Sequence, residues 1–391
     1  MFSERFREDV TPNELSIILQ DKKSRGETIF DLTESNPTRA GLRYDAKAIQ
    51  TALASSAAMV YEPDPRGLET ARLAISDYYR DLGVAVGSDA IFLTSGTSDA
   101  YSYLFKLLAD PGDEILVPSP GYPLLAYLAG FENLKAVSYP LRYDDKNGWA
   151  IDMEVLRALV TPKCRAIVIV SPNNPTGSFI KAHELAGIDE ICLENGLNVI
   201  VDEVFADFAA TVLPHRVKTA VNGCRAPTFV LNGFSKMLGL PQMKLSWIVV
   251  CGNSPSVQAS CSRLELLLDF YLSVSIPIQH AAPVLLAGRR QIQQQIRLRT
   301  TANSRFLHRA IKGSADCTVR LREGGWYEIL ATHDPVCTEK RALQLLRDDN
   351  TLVHPGYFYG FQQNGFVVVS LLPTEKIFRT GIQRLLSRVN I

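Results

Sequence analysis

Between residues 89 and 250, short apolar, β-branched runs alternate with longer stretches of mixed polarity. The runs fall at 90–93, 114–117, 134–138, 166–170, 198–201, 228–231 and 246–250. Several, such as Ala166-Ile167-Val168-Ile169-Val170, are apolar at every position, as strands covered on both faces are. The intervening segments 99–108, 153–160 and 183–194 have helix length. Together they predict an α/β fold: a mostly parallel seven-stranded sheet with helices on both faces. After Pro283 a stretch rich in Gln and Arg runs to Lys312 and reads as one long helix. Beyond it, short strands at 319–321, 326–330, 351–353 and 366–371 surround a helix near 340–348, the texture of a smaller α+β domain. No internal repeat or low-complexity segment appears.

With 391 residues, 46% of them hydrophobic, the chain can bury one large core and a smaller one. Lysine plus arginine equals aspartate plus glutamate, 41 against 41, so no overall field draws nucleic acid or an anionic membrane, and neither is expected as a partner. The start, Met1-Phe2-Ser3-Glu4-Arg5-Phe6, does not read as an export signal, and the apolar runs fall far short of a bilayer span. A soluble, cytoplasmic protein is expected. The seven cysteines, Cys164, Cys192, Cys224, Cys251, Cys261, Cys317 and Cys337, form no Cys-x-x-Cys pair and read as free thiols. Neither they nor the six histidines show metal-ligand spacing, so no metal site is expected.

The segments able to carry chemistry sit at strand ends, where α/β ligands usually bind. Thr94-Ser95-Gly96-Thr97 has the form of a Gly-containing turn feeding a helix, able to hold an anion on backbone N–H groups, or else an ordinary Ser/Thr cap. Pro118-Ser119-Pro120-Gly121-Tyr122-Pro123 and Ser171-Pro172-Asn173-Asn174-Pro175-Thr176-Gly177 follow; Asn-Pro is turn chemistry anywhere, and Tyr122 can serve loop packing. Val201-Asp202-Glu203-Val204-Phe205 places two acids where a strand closes. Asn232-Gly233-Phe234-Ser235-Lys236-Met237-Leu238-Gly239 then sets a lysine on a turn, with Lys244 shortly after. One such lysine is usually a solvated charge.

In this order and at these separations the series resembles the class I/II aminotransferases, fold-type-I enzymes that use pyridoxal 5′-phosphate (PLP). The likeness runs from Leu32 to the C-terminal helix. It implies a division into an N-terminal segment 1–45 that packs with the small domain, a large cofactor-binding domain 46–282, an interdomain helix 283–312 and a small domain 313–391. Lys236 is implied as the residue that forms the Schiff base and shuttles a proton at the substrate. Asp202 would keep the cofactor's ring nitrogen protonated, while Glu203, pointing the other way along extended chain, is read as structural. Asn174 is implied to donate to the ring oxygen and Tyr122 to stack on the ring. Ser95, Gly96, Thr97, Ser235 and Lys244 would hold the phosphate, with Tyr61 reaching it from the other subunit of a homodimer.

Four positions depart from the family pattern. Phe205 stands where most relatives have a tyrosine, and it cannot support the ring oxygen. Gly233 lacks a hydroxyl that many relatives offer the phosphate; Asn232, Ser235 or Ser275 are the candidates to replace it. Ser35-Asn36-Pro37 replaces Gly-x-Pro, which puts Ser35 and Asn36 at the substrate. Val368 stands where the family's arginine clamps the substrate carboxylate, and valine can make no such bidentate clamp. Arg39, Arg43 and Arg66 are the candidate replacements. The expected reaction moves an amino group between an amino acid or related amine and a 2-oxo acid by a ping-pong mechanism. A β-elimination lyase and a non-enzymatic ligand sensor are the alternatives, and retention of both Lys236 and Asp202 weighs against the second.

Overall fold

The computed structural model describes residues 3, 5, 11–210, 215–253, 255–272, 274–314, 316–332 and 338–389. Cys337 and most of the segment 1–6 lie outside them. Among the described residues, the apolar runs form one sheet in the spatial order Ile91–Thr94, Ser246–Cys251, Thr228–Gly233, Asn198–Asp202, Cys164–Val170, Glu114–Ser119, Lys135–Asp144, Gly148–Ile151. The seven expected strands are joined by an eighth, Gly148–Ile151, which folds back antiparallel on Lys135–Asp144. It is short, and Gly148 and Trp149 do not mark it as a β-branched run.

The inner strands are parallel, whereas Ser246–Cys251 runs antiparallel to both of its neighbours. Its first residue therefore lies at the edge where Ile91–Thr94 and Thr228–Gly233 end. Alternate residues of the strands enter different cores. Val199, Val201, Val230 and Trp247 join one buried cluster, and Ile200, Phe229, Leu231 and Ile248 the other. Helices cover both faces, and the carboxyl edge of such a sheet is where ligands usually bind.

The second layer system is antiparallel, in the order Cys317–Val319, Tyr327–Thr332, Phe366–Ser370, His354–Pro355. Its first strand ends at Val319 instead of beginning there; Arg320, which still donates its N–H to the Ile329 carbonyl at 2.9 Å, stacks on Tyr143 and pairs with Asp145. The N-terminal Phe30–Asp31 pairs in parallel with Thr351–Leu352, and the Leu32 carbonyl accepts the Ser370 N–H at 2.6 Å. Helix Arg289–Ala310 connects the two systems and buries Ile292, Ile296, Asn303 and Leu307 along one side. The six described cysteines are free and buried. No helix among the described residues is long and apolar enough to cross a membrane, and none of their His, Cys, Asp and Glu groups could hold a metal ion.

Candidate active site

A cavity of about 380 Å³ opens at the carboxyl edge of the large sheet. Lys236 enters it from the short helix Phe234–Met237, which follows directly on the strand Thr228–Gly233. The rings of Phe205 and Trp326 each lie 5.6 Å from its Nζ. Loss of water around the amine lowers its pKa, and the Asp202 charge only partly opposes this. The lysine is thus shifted toward the neutral form in which an amine attacks a carbonyl.

Asp202 closes its strand with 5% exposure. Its carboxylate accepts the Val204 N–H at 3.0 Å and the Tyr101 hydroxyl at 3.1 Å. Burial nevertheless raises its pKa to about 6, against the pull of these donors and of Lys236. A carboxylate so placed gains from a further cation. Asn174 lines the same cavity, and its buried amide oxygen has no protein partner. It is the other end of the amide, the NH₂, that can donate to a ligand's oxygen in the cavity.

At the other end, the strand Ile91–Thr94 leads through Ser95 and Gly96 into helix Thr97–Leu108. Its first N–H groups and the partial positive charge of the helix end face the cavity. A Cβ at Gly96 would stand 3.2 Å from Lys244 Nζ and 3.3 Å from Asp99 Oδ2, so any larger residue would press on the amine and narrow the gap between it and the helix. Lys244 itself has left-handed backbone geometry, φ 51° and ψ 50°, which costs a non-glycine residue of order 1 kcal/mol and aims its side chain back at Gly96. An anion cradle, a buried carboxylate and a buried amine share one cavity. That set fits PLP: Ser95–Thr97, Ser235 and Lys244 would hold its phosphate, Asp202 its ring nitrogen and Asn174 its ring oxygen.

Ser35, Tyr122 and Phe205 also line this cavity, as the motifs imply. Five residues do not. Asn36 accepts the Thr38 N–H at 3.0 Å and caps the turn Pro37–Arg39, and Arg39 is exposed on that turn. Arg43 is exposed, with its backbone paired to Gln295. Arg66 donates to Glu265 and to the Asp89 carbonyl, both at 2.7 Å, and stacks on Phe92, so its charge is already engaged in holding the edge strand. Tyr61 is 63% exposed and away from the cavity of its own chain. The motifs gave no sign of Tyr101, which only the i, i+4 spacing from Thr97 along one helix face could have suggested. Tyr327, from the small sheet, was equally hidden.

Glu203, beside Asp202, is 3% exposed and accepts the Ala220 N–H at 2.6 Å. Burial pushes its pKa up to about 8, from an ordinary 4.5. The folded state therefore holds a proton that the unfolded chain releases first. Stability from this group is complete below about pH 4.5 and is lost as pH rises through about 8. Replacing Glu203→Gln should flatten that loss by about 2–4 kcal/mol between pH 5 and pH 9. Urea unfolding of both proteins at the two pH values checks it; parallel pH dependence would refute the assignment.

The fold is that of the fold-type-I PLP-dependent enzymes. The model of the family "Aminotransferase class I and II" matches residues 27–382, and the chain belongs to that family. Nicotianamine aminotransferase 1 of Oryza sativa subsp. japonica is 29% identical over 339 residues, covering 82% of this chain and 66% of the relative. Glutamate-pyruvate aminotransferase AlaA of Escherichia coli is 32% identical over 237 residues, 60% of this chain and 57% of that protein. The matched region thus spans 66% and 57% of the length of these two relatives, under two thirds of each. Among solved structures, an alanine aminotransferase from Pyrococcus furiosus superposes with a TM-score of 0.89 at 22% identity, covering all of both chains.

Proposed function

We propose that the protein is a PLP-dependent aminotransferase, passing an amino group from an amino acid or related amine to a 2-oxo acid by a ping-pong mechanism. The observation that carries this reading is the enclosed Lys236 amine in one cavity with Asp202 and the Gly96–Lys244 cradle. The bound cofactor supplies an electron sink for the bond broken at the substrate's amino-bearing carbon. Lys236 Nζ is the base that takes the proton from that carbon and gives it back on the cofactor side. Phe205 and Trp326 keep water from the amine while it does so. Asp202, with Tyr101 and the Val204 N–H holding its orientation, keeps a proton on the ring nitrogen. Lys244 and the helix start fix the anionic end.

The substrate end is lined by neutral groups, Ser35, Tyr122 and Tyr327. Val368 is fully buried between Ile329 and His354 on the small sheet. His354 meets the Tyr359 hydroxyl at 3.0 Å, and burial lowers its pKa against the pull of the Asp31 charge, so His354 offers no cation where the family arginine stands. Among the described residues of this chain, the cations lining the cavity are Lys236 and Lys244. Amines without a neighbouring carboxylate therefore belong in any substrate panel.

The same reading includes a cytoplasmic homodimer with shared sites. Tyr61 stands on the surface beside Met59 and Val60, 87% and 57% exposed, as an apolar tip offered to a second subunit would. It also includes the division at 45, 282 and 312. The test mixes PLP-loaded protein with amino acids and amines in the absence of an acceptor, following cofactor absorbance and ammonia. Transfer of the amino group to the cofactor without ammonia is expected; steady ammonia release with PLP retained would make the protein a lyase.

A further inference from the structure

Ser246 opens the strand Ser246–Cys251 and is paired with Thr94 on one side and Gly233 on the other. These partners directly precede Ser95-Gly96-Thr97 and the short helix that carries Ser235 and Lys236. Residues opposite one another on antiparallel strands project to the same face of the sheet, so Ser246 sits over the gap that a side chain at 233 would enter. A Cβ built on Gly233 would lie 2.2 Å from Ser246 Oγ and 2.8 Å from Ser246 Cβ. The two positions compete for one volume, and in this chain the serine fills it. Gly233 has φ 177°, extended backbone open to any residue, so what disfavours a side chain there is its neighbours, Ser246 first and then the Leu245 carbonyl oxygen at 3.0 Å.

The candidates for the hydroxyl missing at Gly233 fare less well. Asn232 is fully buried and uses its Oδ1 on the Gly233 N–H at 2.7 Å. Ser275 is exposed at the start of helix Ile276–Ala287 and does not line the cavity. Ser235 does line it, but comes from the helix turn that follows. Ser246 lines the cavity, is 3% exposed and stands two positions after Lys244. We propose, building on the PLP reading, that the Ser246 hydroxyl donates to the cofactor phosphate in place of the one absent at position 233. A single turn then delivers both the point charge of Lys244 and a directional donor. That pairing offsets the poor directionality of an ammonium on a phosphate.

The experiment titrates apoprotein with PLP and, separately, with pyridoxal, which lacks the phosphate, reading cofactor absorbance and the ³¹P shift. Ser246→Ala should weaken PLP about tenfold or more and leave pyridoxal unchanged. Gly233→Ser alone should also weaken PLP, because its side chain collides with Ser246. The double variant G233S/S246G should recover most of the affinity, with the hydroxyl supplied from the other strand. This swap preserves the combined side-chain volume, so it gives an answer even if alanine at 246 unsettles the strand. Equal loss of PLP and pyridoxal in S246A, or no recovery in the swap, overturns the assignment. If the native protein binds neither compound, the PLP reading fails with it.

Discussion

Replacing Lys236→Ala should lower turnover by about 10⁴-fold or more, the largest effect of any single substitution in this chain. Two functions go with one amine: the covalent hold on the cofactor, and the base at the substrate's amino-bearing carbon. The described cavity wall offers only one other amine, Lys244, and it is turned toward Gly96 at the far end. No neighbour stands ready to take the proton. The anion cradle is untouched by the change, so the variant should still bind PLP, more weakly. Borohydride treatment of the native holoprotein should fix cofactor mass to the peptide containing Lys236 and not to one containing Lys244. Label on Lys244, or near-native turnover of the alanine variant, would contradict this assignment of the two lysines.

Asp202→Asn should come next, with a loss of about 10²–10⁴-fold in kcat at nearly constant shape. The amide oxygen can keep the Val204 N–H, and its NH₂ then donates to the Tyr101 hydroxyl in place of the second carboxylate oxygen, but the amide cannot stabilise a proton on the ring nitrogen. Stability should move the other way. The folded pKa of Asp202 is raised from 3.8 to about 6, so its stability is whole below about 3.8 and is lost as pH rises through about 6. At pH 8 the native chain carries a buried charge that asparagine does not, and apo-D202N should be at least as stable. A residue that merely held the fold would lose both activity and stability. Chemical denaturation of the apo forms at pH 5 and pH 8, beside the kinetics, separates the two roles. A stability loss matching the activity loss would show the carboxylate to be structural.

Much of this was legible in the chain because strand-end motifs are local. Ser95-Gly96-Thr97, Asp202 and Ser235-Lys236 each lie within five residues of the end of an apolar run, so locating the strand locates the residue. The contributions that stayed hidden come from elements whose proximity depends on the fold. Tyr101 reaches Asp202 only because helix Thr97–Leu108 packs across the strand ends, and Tyr327 arrives from a different sheet. Arg66 was a fair candidate by its position near Tyr61, yet its partner Glu265 is remote in sequence and nothing local announces the pair. Gly148–Ile151 was missed because a hairpin strand at a sheet edge needs no continuous apolar run. The replacement at Gly233 is the sharpest case. The vacancy can be read from one strand, but its occupant lies on the neighbouring one, and register alone joins them.

The reversed strand Ser246–Cys251 also sets a timetable. Every other strand at the cofactor end delivers its ligand as the chain leaves the sheet, whereas this one delivers Lys244 and Ser246 as the chain enters it. A nascent polypeptide released as far as Lys236 already has its nucleophile, its carboxylate and its helix start, but has yet to acquire the far side of the anion cradle. The edge strand Ile91–Thr94, made long before, waits unpaired until Ser246–Cys251 is laid between it and Thr228–Gly233. The far side of the anion cradle and the pairing of that edge strand thus depend on one and the same stretch of chain.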